Sequence, residues 1–367
     1  MKTGIKQEIS LLQYILTISG VQVGFGLLTL PREVAQGAGT DGWISVIIGW
    51  AITTVVSLCI VKIMAKHPGD TLLNVLTRYL GKWLGKIGMI IWILYSLLAA
   101  ISLVFSLLYV IRIWILPRTP SYLILILLTI PMYMLARGGA RIISRYAVFH
   151  FFFTLWMPLL LFIPLKDSHG IYILPFLKEG WMPVFHTVKS TILAFLGFEF
   201  AFAFVLYPYL NDKQSAGKGI VIANVITLLI YLQVTLICFV YFGPDGITKF
   251  LWPTLSLITP LYFSFLERVE IIFLSFYLFI VFDSCIPYIF TATDGVKQLF
   301  HKKEGSMFIL MLLCACVLFW VFYTPSSYQI DRLRELWGTT SYFVAVLFPV
   351  VFLLYITAYQ RWKRRKN

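Results

Sequence analysis

The sequence predicts an all-α membrane protein with ten transmembrane helices in a single integral membrane domain. Of its 367 residues, 60% are hydrophobic and 13% are charged, and the mean hydropathy is +0.87. Soluble domains carry about 25% charged residues. Apolar runs of roughly 20 residues, enough for a helix to span the hydrocarbon core, recur along the whole chain. We expect spans at residues 9–30, 42–64, 86–114, 121–136, 146–165, 185–209, 217–243, 268–293, 306–324 and 338–360.

The basic residues predict the orientation of these spans. Ten spans place both chain termini on one side of the membrane. With the N-terminus inside, the inner segments hold 20 of the 30 lysine and arginine residues, which is the positive-inside bias. We therefore expect a multi-pass protein with both termini in the cytoplasm. The basic tail 361–366 fits an anchor to the anionic lipid of the bilayer. This topology explains the net charge of +14, so no nucleic-acid partner is expected.

Sequence signatures of catalysis and of metal binding are missing. The five cysteines lie inside predicted spans without a CxxC pair, and the five histidines are scattered. The chain contains no HExxH, GxSxG or GxxxxGK[ST] motif. We therefore expect neither an enzyme, nor a cofactor, nor a metal site.

Two glycine-interrupted segments lie at matching places in the two halves of the chain. Spans 1–5 and 6–10 form halves of five, and an odd number per half forces opposite orientations, as in an inverted repeat. The interruptions are residues 20–31 in span 1 and 195–200 in span 6. A helix broken at membrane depth is tolerated only where it faces protein, water or a solute. Matched breaks are therefore the best sequence pointer to a transporter-type binding site.

The first break supplies four ligand-binding candidates, Gln22, Gly24, Phe25 and Gly26. The spacing Gly20-xxx-Gly24 is also typical of close helix packing, but the Gly-Phe-Gly interruption favours a solute-lining break. The second break supplies Phe195, Gly197, Phe198 and Glu199. An ionisable residue near the bilayer middle is functional by default. The alternative is a structural carboxylate satisfied by span 1 or span 8.

Spans 3 and 8 supply the remaining candidates. Span 8 carries Asp283 and Ser284 ahead of Pro287. Asp283 either caps a broken helix, binds a cation, relays a proton, or pairs with a donor from span 1 or span 5. Span 3 presents a polar stripe that includes Ser102, Ser106 and Tyr109. This stripe lines a cavity or forms a mixed packing face.

Several motifs resemble those of known membrane protein families. Residues 191–199 resemble the Phe-Ala-Phe-x-Gly-Phe-Glu segment of span 6 in amino acid–polyamine–organocation (APC) permeases, and residues 24–26 resemble the Gly-x-Gly of their broken first helix. The whole chain is more similar to the B subunits of bacterial spore germinant receptors. That resemblance rests on residues 28–32 (Leu-Thr-Leu-Pro-Arg), 174–180 before span 6 and 295–300 after span 8.

The resemblance implies a LeuT-type 5+5 fold with broken helices 1 and 6. It also implies a nutrient-sensing role in the inner membrane of the dormant spore, with an A-type membrane subunit and a C-type lipoprotein as partners. The ligand would be a small nutrient, most often an amino acid. Half-helix N-termini suit its carboxylate, and half-helix C-terminal carbonyls suit its ammonium group.

Two other functions stay open at this point. The chain could be a transporter of the APC type that carries the same solute down a gradient or together with a proton, through Glu199 or Asp283. It could also be a scaffold for a partner complex that binds no solute.

Overall fold

The computed structural model describes residues 8–168, 170–174, 177, 180–261, 268–300 and 306–366. These residues are mainly α-helical, as the sequence predicts, and the isolated β-type pairing among them is a single bridge between Ile9 and Leu210. The α-helices in chain order are α1 (Leu11–Gln22), α2 (Gly26–Ala38), α3 (Gly42–Ala65), α4 (Leu72–Leu80), α5 (Lys82–Trp114), α6 (Ser121–Arg137), α7 (Gly139–Thr154), α8 (Trp156–Leu160), α9 (Trp181–Leu206), α10 (Ala216–Phe242), α11 (Pro244–Ile247), α12 (Pro253–Ile258), α13 (Val269–Phe300), α14 (Ser306–Phe322), α15 (Ser327–Ser341) and α16 (Phe348–Lys366).

Short helical turns of other types join these elements. A π-helical segment, Tyr342–Leu347, connects α15 to α16, and 3₁₀ turns lie at Gly39–Asp41, Ile163–Asp167, Gly170–Ile173, Tyr207–Tyr209 and Lys213–Ser215. Within the described part of the chain, six helical stretches are long and apolar enough to cross a membrane, and shorter apolar helices accompany them. The molecule is therefore a multi-pass integral membrane protein.

The helices pack with the symmetry of an inverted repeat. The central helices of the two halves, α5 and α13, lie against each other, and so do α6 and α14. Several of the other contacts occur in pairs that exchange when the halves are exchanged. Thus α1 packs on α10 as α9 packs on α3, α1 on α7 as α9 on α15, and α7 on α13 as α15 on α5. A pseudo-two-fold axis between the halves produces this pattern.

The two predicted breaks have different outcomes. Span 1 is interrupted between α1 and α2, as expected. The predicted break in span 6 is wrong for this structure, because α9 is helical from Trp181 to Leu206. A single glycine costs a helix only about 1 kcal/mol, whereas opening the backbone in lipid leaves several costly unpaired groups. Span 8 is also unbroken: α13 passes through Pro287, so Asp283 does not cap a broken helix.

The bundle has a terminal face and a distal face. At the terminal face, the chain start pairs with the α9–α10 connection, since Ile9 N donates to Tyr209 O at 3.0 Å. At the same face, Tyr355 Oη of α16 donates to Tyr79 O of α4 at 3.0 Å. The distal face carries α11 and α12, and Thr254 Oγ1 of α12 donates to Leu27 O of α2 at 2.7 Å. The start of α2, directly after the break, is therefore held by the short helix α12.

Candidate ligand-binding site

The interruption of span 1 is three residues long and contains Val23, Gly24 and Phe25. Val23 N still donates to Ser19 O at 3.0 Å, which completes the last turn of α1. The next ladder begins when Leu27 N donates to Gly24 O at 3.3 Å and Leu28 N to Phe25 O at 3.1 Å. The break therefore leaves carbonyls at the end of α1 and N–H groups at the start of α2 without helical partners.

Side chains from the second half of the chain satisfy the carbonyls at this break. Tyr231 Oη of α10 donates to Gln22 O at 2.6 Å. Tyr277 Oη of α13 donates to Gly24 O at 3.3 Å, and Ser284 Oγ donates to Gly20 O at 3.4 Å. By contrast, none of the described backbone carbonyls accepts a hydrogen bond from the N–H of Gly24 or Phe25. The donor side of the break is therefore the side that still has hydrogen-bonding capacity to offer a ligand.

The side chain of Gln22 is occupied within the protein. Its Nε2 donates to Phe195 O at 2.9 Å and to Asn224 Oδ1 at 2.8 Å, and its Oε1 accepts from Thr227 Oγ1 at 2.6 Å. All four residues are buried. This network fixes the end of α1 against α9 and α10, and it consumes the hydrogen bonds that Gln22 would offer a ligand.

A cavity of about 450 Å³ opens beside the break, on the distal side of the bundle. It lies between α2, α9 and α15, and 300–1,000 Å³ is the usual size of a small-molecule site. A second cavity of about 140 Å³ adjoins it towards α5 and shares five lining residues with it, namely Phe25, Thr29, Glu33, Asp331 and Arg334. Together they form one outer cavity, with Phe25 at its inner end.

Charged side chains of both signs line this outer cavity. Arg334 of α15 lies over the Phe25 ring, with its guanidinium carbon 5.3 Å from the ring centroid. The same guanidinium is 3.7 Å from Asp331, one turn earlier on α15. Glu33 of α2 and Lys189 of α9 add one further charge each. A carboxylate and an ammonium group can both find a partner of opposite charge here.

The α11–α12 connection closes one side of the outer cavity. Trp252 lines the smaller cavity, and its ring meets that of Tyr109 edge to face, with 5.7 Å between centroids. Ser106 lines the same region from α5. The polar stripe predicted in span 3 therefore divides: Ser106 and Tyr109 reach the cavity, whereas Ser102 is buried without a hydrogen-bond partner for its Oγ among the described residues.

The structure brings only part of the predicted site together. Phe25, Gly26, Ser106 and Tyr109 line the outer cavity. Six other candidates are buried and line neither part of it, namely Gln22, Gly24, Phe195, Ser102, Asp283 and Ser284. The side chains of Phe198 and Glu199 and the surroundings of Gly197 lie outside the described part of the chain.

Asp283 pairs with a histidine side chain and does not cap a helix break. Its Oδ2 lies 3.2 Å from Nδ1 of His150, and both side chains are buried. His150 belongs to α7, the helix of span 5. Of the possibilities that the sequence left open, pairing with a span-5 side chain is the one observed.

Sequence reasoning missed the charged residues of the outer cavity. Lys189 lies inside a predicted span, so the rule for ionisable residues at membrane depth would have flagged it. Asp331 and Arg334 lie ahead of the predicted span 10, in a segment too polar for a hydropathy signal. The available signal was the capping box formed by Ser326 and Gln329, which starts α15 eleven residues before the predicted span.

Comparison with known sequences identifies the family. A sequence model of the spore germination protein family matches residues 8–329. The chain belongs to this family. Spore germination protein GerQB of Bacillus cereus is 22% identical over 351 residues, covering 95% of this chain and 96% of the relative. Spore germination protein YndE of Bacillus subtilis (strain 168) is 29% identical over 307 residues, covering 82% and 83%.

A solved structure of another protein has the same overall fold as this germination protein. The crystal structure of MhsT in complex with L-phenylalanine superposes with a TM-score of 0.66, covering 96% of this chain and 89% of MhsT, at 13% sequence identity. The predicted all-α, LeuT-type fold is thereby confirmed. At this identity the likeness concerns the fold alone, and the unbroken α9 is a local departure from the predicted pattern.

Proposed function

We propose that this germination protein is the nutrient-sensing membrane subunit of a germinant receptor and that it binds a small amino acid in the outer cavity. The observation that supports this proposal is the set of groups at the inner end of that cavity. There the N–H of Phe25, which none of the described carbonyls accepts, lies at the start of a helix, and the Phe25 ring lies close to the adjacent opposite charges of Arg334 and Asp331.

An amino acid zwitterion matches this arrangement. Its carboxylate would accept hydrogen bonds from the Arg334 guanidinium and from N–H groups at the α2 N-terminus, where the helix dipole favours negative charge. Its ammonium group would pair with Asp331, 3.7 Å from that guanidinium. This arrangement replaces the expectation that half-helix C-terminal carbonyls bind the ammonium group, because the carbonyls at the span 1 break accept hydrogen bonds from Tyr231 and Tyr277.

Binding would act on the receptor by favouring one arrangement of the bundle. The outer cavity is built from α2, α9 and α15, which belong to three different spans. A ligand that contacts all three favours the arrangement in which they are close, and only this differential affinity shifts the population. In the proposed topology the distal face is outside the cytoplasm, where a nutrient arrives.

A pair of arginine variants tests the proposed site. In Arg334→Gln the half-maximal amino acid concentration for germination should rise about 10- to 100-fold, the equivalent of one charged hydrogen-bonding partner. Arg118→Gln is the control, because Arg118 is exposed in the α5–α6 connection and lines neither part of the outer cavity. Protein levels in the spore membrane must be equal. An unchanged half-maximal concentration in Arg334→Gln would exclude the proposed site.

The same cavity would also serve an APC-type permease. A transport assay in reconstituted vesicles separates sensing from transport. Reconstituted vesicles should bind labelled amino acid without accumulating it if the chain only senses its ligand. Accumulation that depends on a proton gradient would establish transport instead. Failure to bind any of the standard amino acids would favour a scaffold.

We also propose an A-type membrane subunit and a C-type lipoprotein as partners, which should co-purify with a tagged chain.

A further inference from the structure

A second opening lies on the side of the bundle, next to the outer cavity. It has a volume of about 620 Å³ and lies between α3, α9 and the π-helical segment Tyr342–Leu347 that follows α15. We call it the side crevice, and its apolar walls include Ile48, Ile52, Phe185, Ile192 and Phe343. Three of these side chains are strongly exposed, Ile52 at 37% and Phe185 and Phe343 at 57% each. In a membrane protein, exposed apolar walls of this kind face the acyl chains of lipid.

The side crevice lies in the leaflet of the bilayer at the distal face. Helix α9 begins on that side, because its other end leads to Tyr209, which pairs with Ile9 at the terminal face. Trp181, the first residue of α9, is exposed, as is typical of aromatic side chains at the membrane–water interface. Lys189, which lines the crevice, follows about 12 Å further along the helix axis, at about 1.5 Å per residue. Its Cα therefore lies at the depth of the acyl chains.

Lys189 carries a positive charge at the seam between the side crevice and the outer cavity. Lys189 and Thr339 line both openings. One turn further along α9 the seam is tight, since a Cβ atom at Gly338 would lie 3.2 Å from Leu193 Cδ1. In the part of the chain that the structure describes, Lys189 has neither an ion pair nor a hydrogen bond. An ammonium group at this depth is costly unless an anion or water meets it.

The flexible stem of Lys189 can bring its ammonium group towards the lipid headgroups. Helical side chains lean towards the N-terminus of their helix, which for α9 is the distal side. Lysine at such a position extends its methylene groups along apolar surface and keeps its charge at the polar end. The side crevice therefore combines a cation towards its headgroup end with apolar walls on both sides of it.

We propose that the side crevice binds one anionic phospholipid of the distal leaflet, with its phosphate on Lys189 and an acyl chain along Ile52 and Phe343. The phosphate pairs with the ammonium group, and the acyl chain covers the apolar walls. The lipid contacts α3, α9 and the π-helical segment, a type of helix that is rare and frequently found at functional sites. Its binding does not require an amino acid in the outer cavity.

Charge and depth favour a lipid over the other possible occupants of the side crevice. A transmembrane helix of another protein would have to bring a carboxylate of its own to this depth, which is costly. A small soluble anion could pair with Lys189 but would leave the apolar walls uncovered. An anionic phospholipid already carries its negative charge above an apolar chain, in the order that the crevice presents.

A photo-crosslinking reporter in the side crevice tests the proposal. Phe343 is replaced by p-benzoylphenylalanine, and the chain is reconstituted in vesicles of equal parts phosphatidylglycerol and phosphatidylcholine with identical acyl chains. After irradiation, mass spectrometry gives the ratio of the two crosslinked lipids. The same reporter at Phe152, which is 60% exposed on α7 and does not line the crevice, gives the ratio for ordinary lipid contact. The phosphatidylglycerol ratio at Phe343 should exceed that at Phe152 about 5- to 30-fold, as expected for one lysine on an anionic headgroup.

Variants of the charge show whether Lys189 selects the lipid. Lys189→Gln should lower the ratio at Phe343 to the value at Phe152, whereas Lys189→Arg should keep it high, because phosphate pairs with either cation. Lys249→Gln is the matched control, since Lys249 is an exposed lysine of the distal face that does not line the crevice. It should leave the ratio unchanged.

Variants of the apolar wall show whether the acyl chain lies in the side crevice. Ile52→Trp fills the space beside Phe343 and should lower the total yield of crosslinked lipid several-fold. Val55→Trp should not, because Val55 is 61% exposed on the same helix but does not line the crevice. Equal lipid ratios at Phe343 and Phe152, or a high ratio that persists in Lys189→Gln, overturn the proposal. Crosslinking of Phe343 to a second copy of the chain in place of lipid also overturns it and assigns the crevice to a protein interface.

Discussion

The glycines of span 1 act mainly through close approach and not through unusual backbone angles. None of Gly20, Gly24 and Gly26 is among the described residues with positive φ. Each instead makes room for one side chain of the second half of the chain, namely Asp283, Ser284 and Tyr231 respectively. The sequence pattern located the break correctly, but it could not show which partners approach the glycines.

A methyl group at Gly26 should therefore destabilise the break. A Cβ atom there would lie 2.6 Å from Tyr231 Oη, the donor to Gln22 O. The hydroxyl must move, which leaves a buried carbonyl without its donor. We expect Gly26→Ala to lower the free energy of unfolding by about 1–3 kcal/mol, measured as a lower melting temperature in detergent.

Two further variants make this prediction specific. Gly217→Ala should cause no loss, because its nearest neighbour would be Leu58 Cδ2 at 3.9 Å. Adding Tyr231→Phe to Gly26→Ala should cost less than the sum of the two single changes, since the overlapping hydroxyl is absent. Additive losses would show that Tyr231 and Gly26 do not interact in this way.

Glu199 is the residue for which a prediction rests on sequence alone. An ionisable side chain within an apolar segment must be paired, protonated or bound to a ligand. If it belongs to the ligand site, as we expect, Glu199→Gln should raise the half-maximal germinant concentration at an unchanged protein level. A lower protein level with an unchanged half-maximal concentration would assign Glu199 to the structural framework.

At the level of helices, α4 and α16 are held together by a polar cluster at the terminal face. Tyr79 Oη lies 2.8 Å from Nε2 of His67 and accepts a hydrogen bond from Gln360 Nε2 at 2.9 Å. Arg78 donates to Nδ1 of His67 at 2.8 Å and pairs with Asp70 at 2.9 Å. Because Nδ1 accepts from Arg78, the imidazole is neutral in this arrangement, with its proton on Nε2.

This cluster should make the docking of α4 sensitive to acid. Burial, together with the nearby Arg78, lowers the pKa of His67 from its ordinary value of 6.5. The folded state therefore binds fewer protons than the unfolded state between these two pKa values. The stabilisation is complete above pH 6.5 and is lost as the pH falls from there through the lowered pKa. Amide hydrogen exchange of α4, corrected for intrinsic rates, should show less protection at pH 5.5 than at pH 7.5.

A neutral replacement provides the control for this pH dependence. His67→Gln should give α4 the same protection at both pH values, since no imidazole remains to be protonated. The amides of α10, far from the cluster in sequence, should be unaffected in either protein. Equal protection of α4 at both pH values in the unaltered chain would show that His67 does not govern its docking.

For the whole molecule, hydropathy predicted the fold class because an apolar helix is the simplest way to satisfy the backbone in lipid. The interruption of span 1 was predictable from Gly-Phe-Gly. The helical spacing of Ser106 and Tyr109 left a cavity-lining stripe and a mixed packing face equally open, because spacing alone does not show which element a helix face meets. The charges at Asp331 and Arg334 were not predictable, because they reach the cavity only through the extension of span 10 into α15. The unbroken α9 was also beyond the sequence, since one glycine permits either a helix or a break.

The orientation of the bundle in the membrane is the last prediction, and it decides from which side a ligand reaches the outer cavity. The 20 basic residues of the predicted inner segments predict that the terminal face lies in the cytoplasm. In a chain without its native cysteines, single cysteines at positions 2 and 366 should react with an impermeant maleimide only after the membrane is permeabilised. A cysteine at Lys249, which is exposed in the α11–α12 connection at the distal face, should react in intact cells. If position 2 or 366 reacts from outside and position 249 does not, the cavity faces the cytoplasm and cannot receive an external nutrient directly.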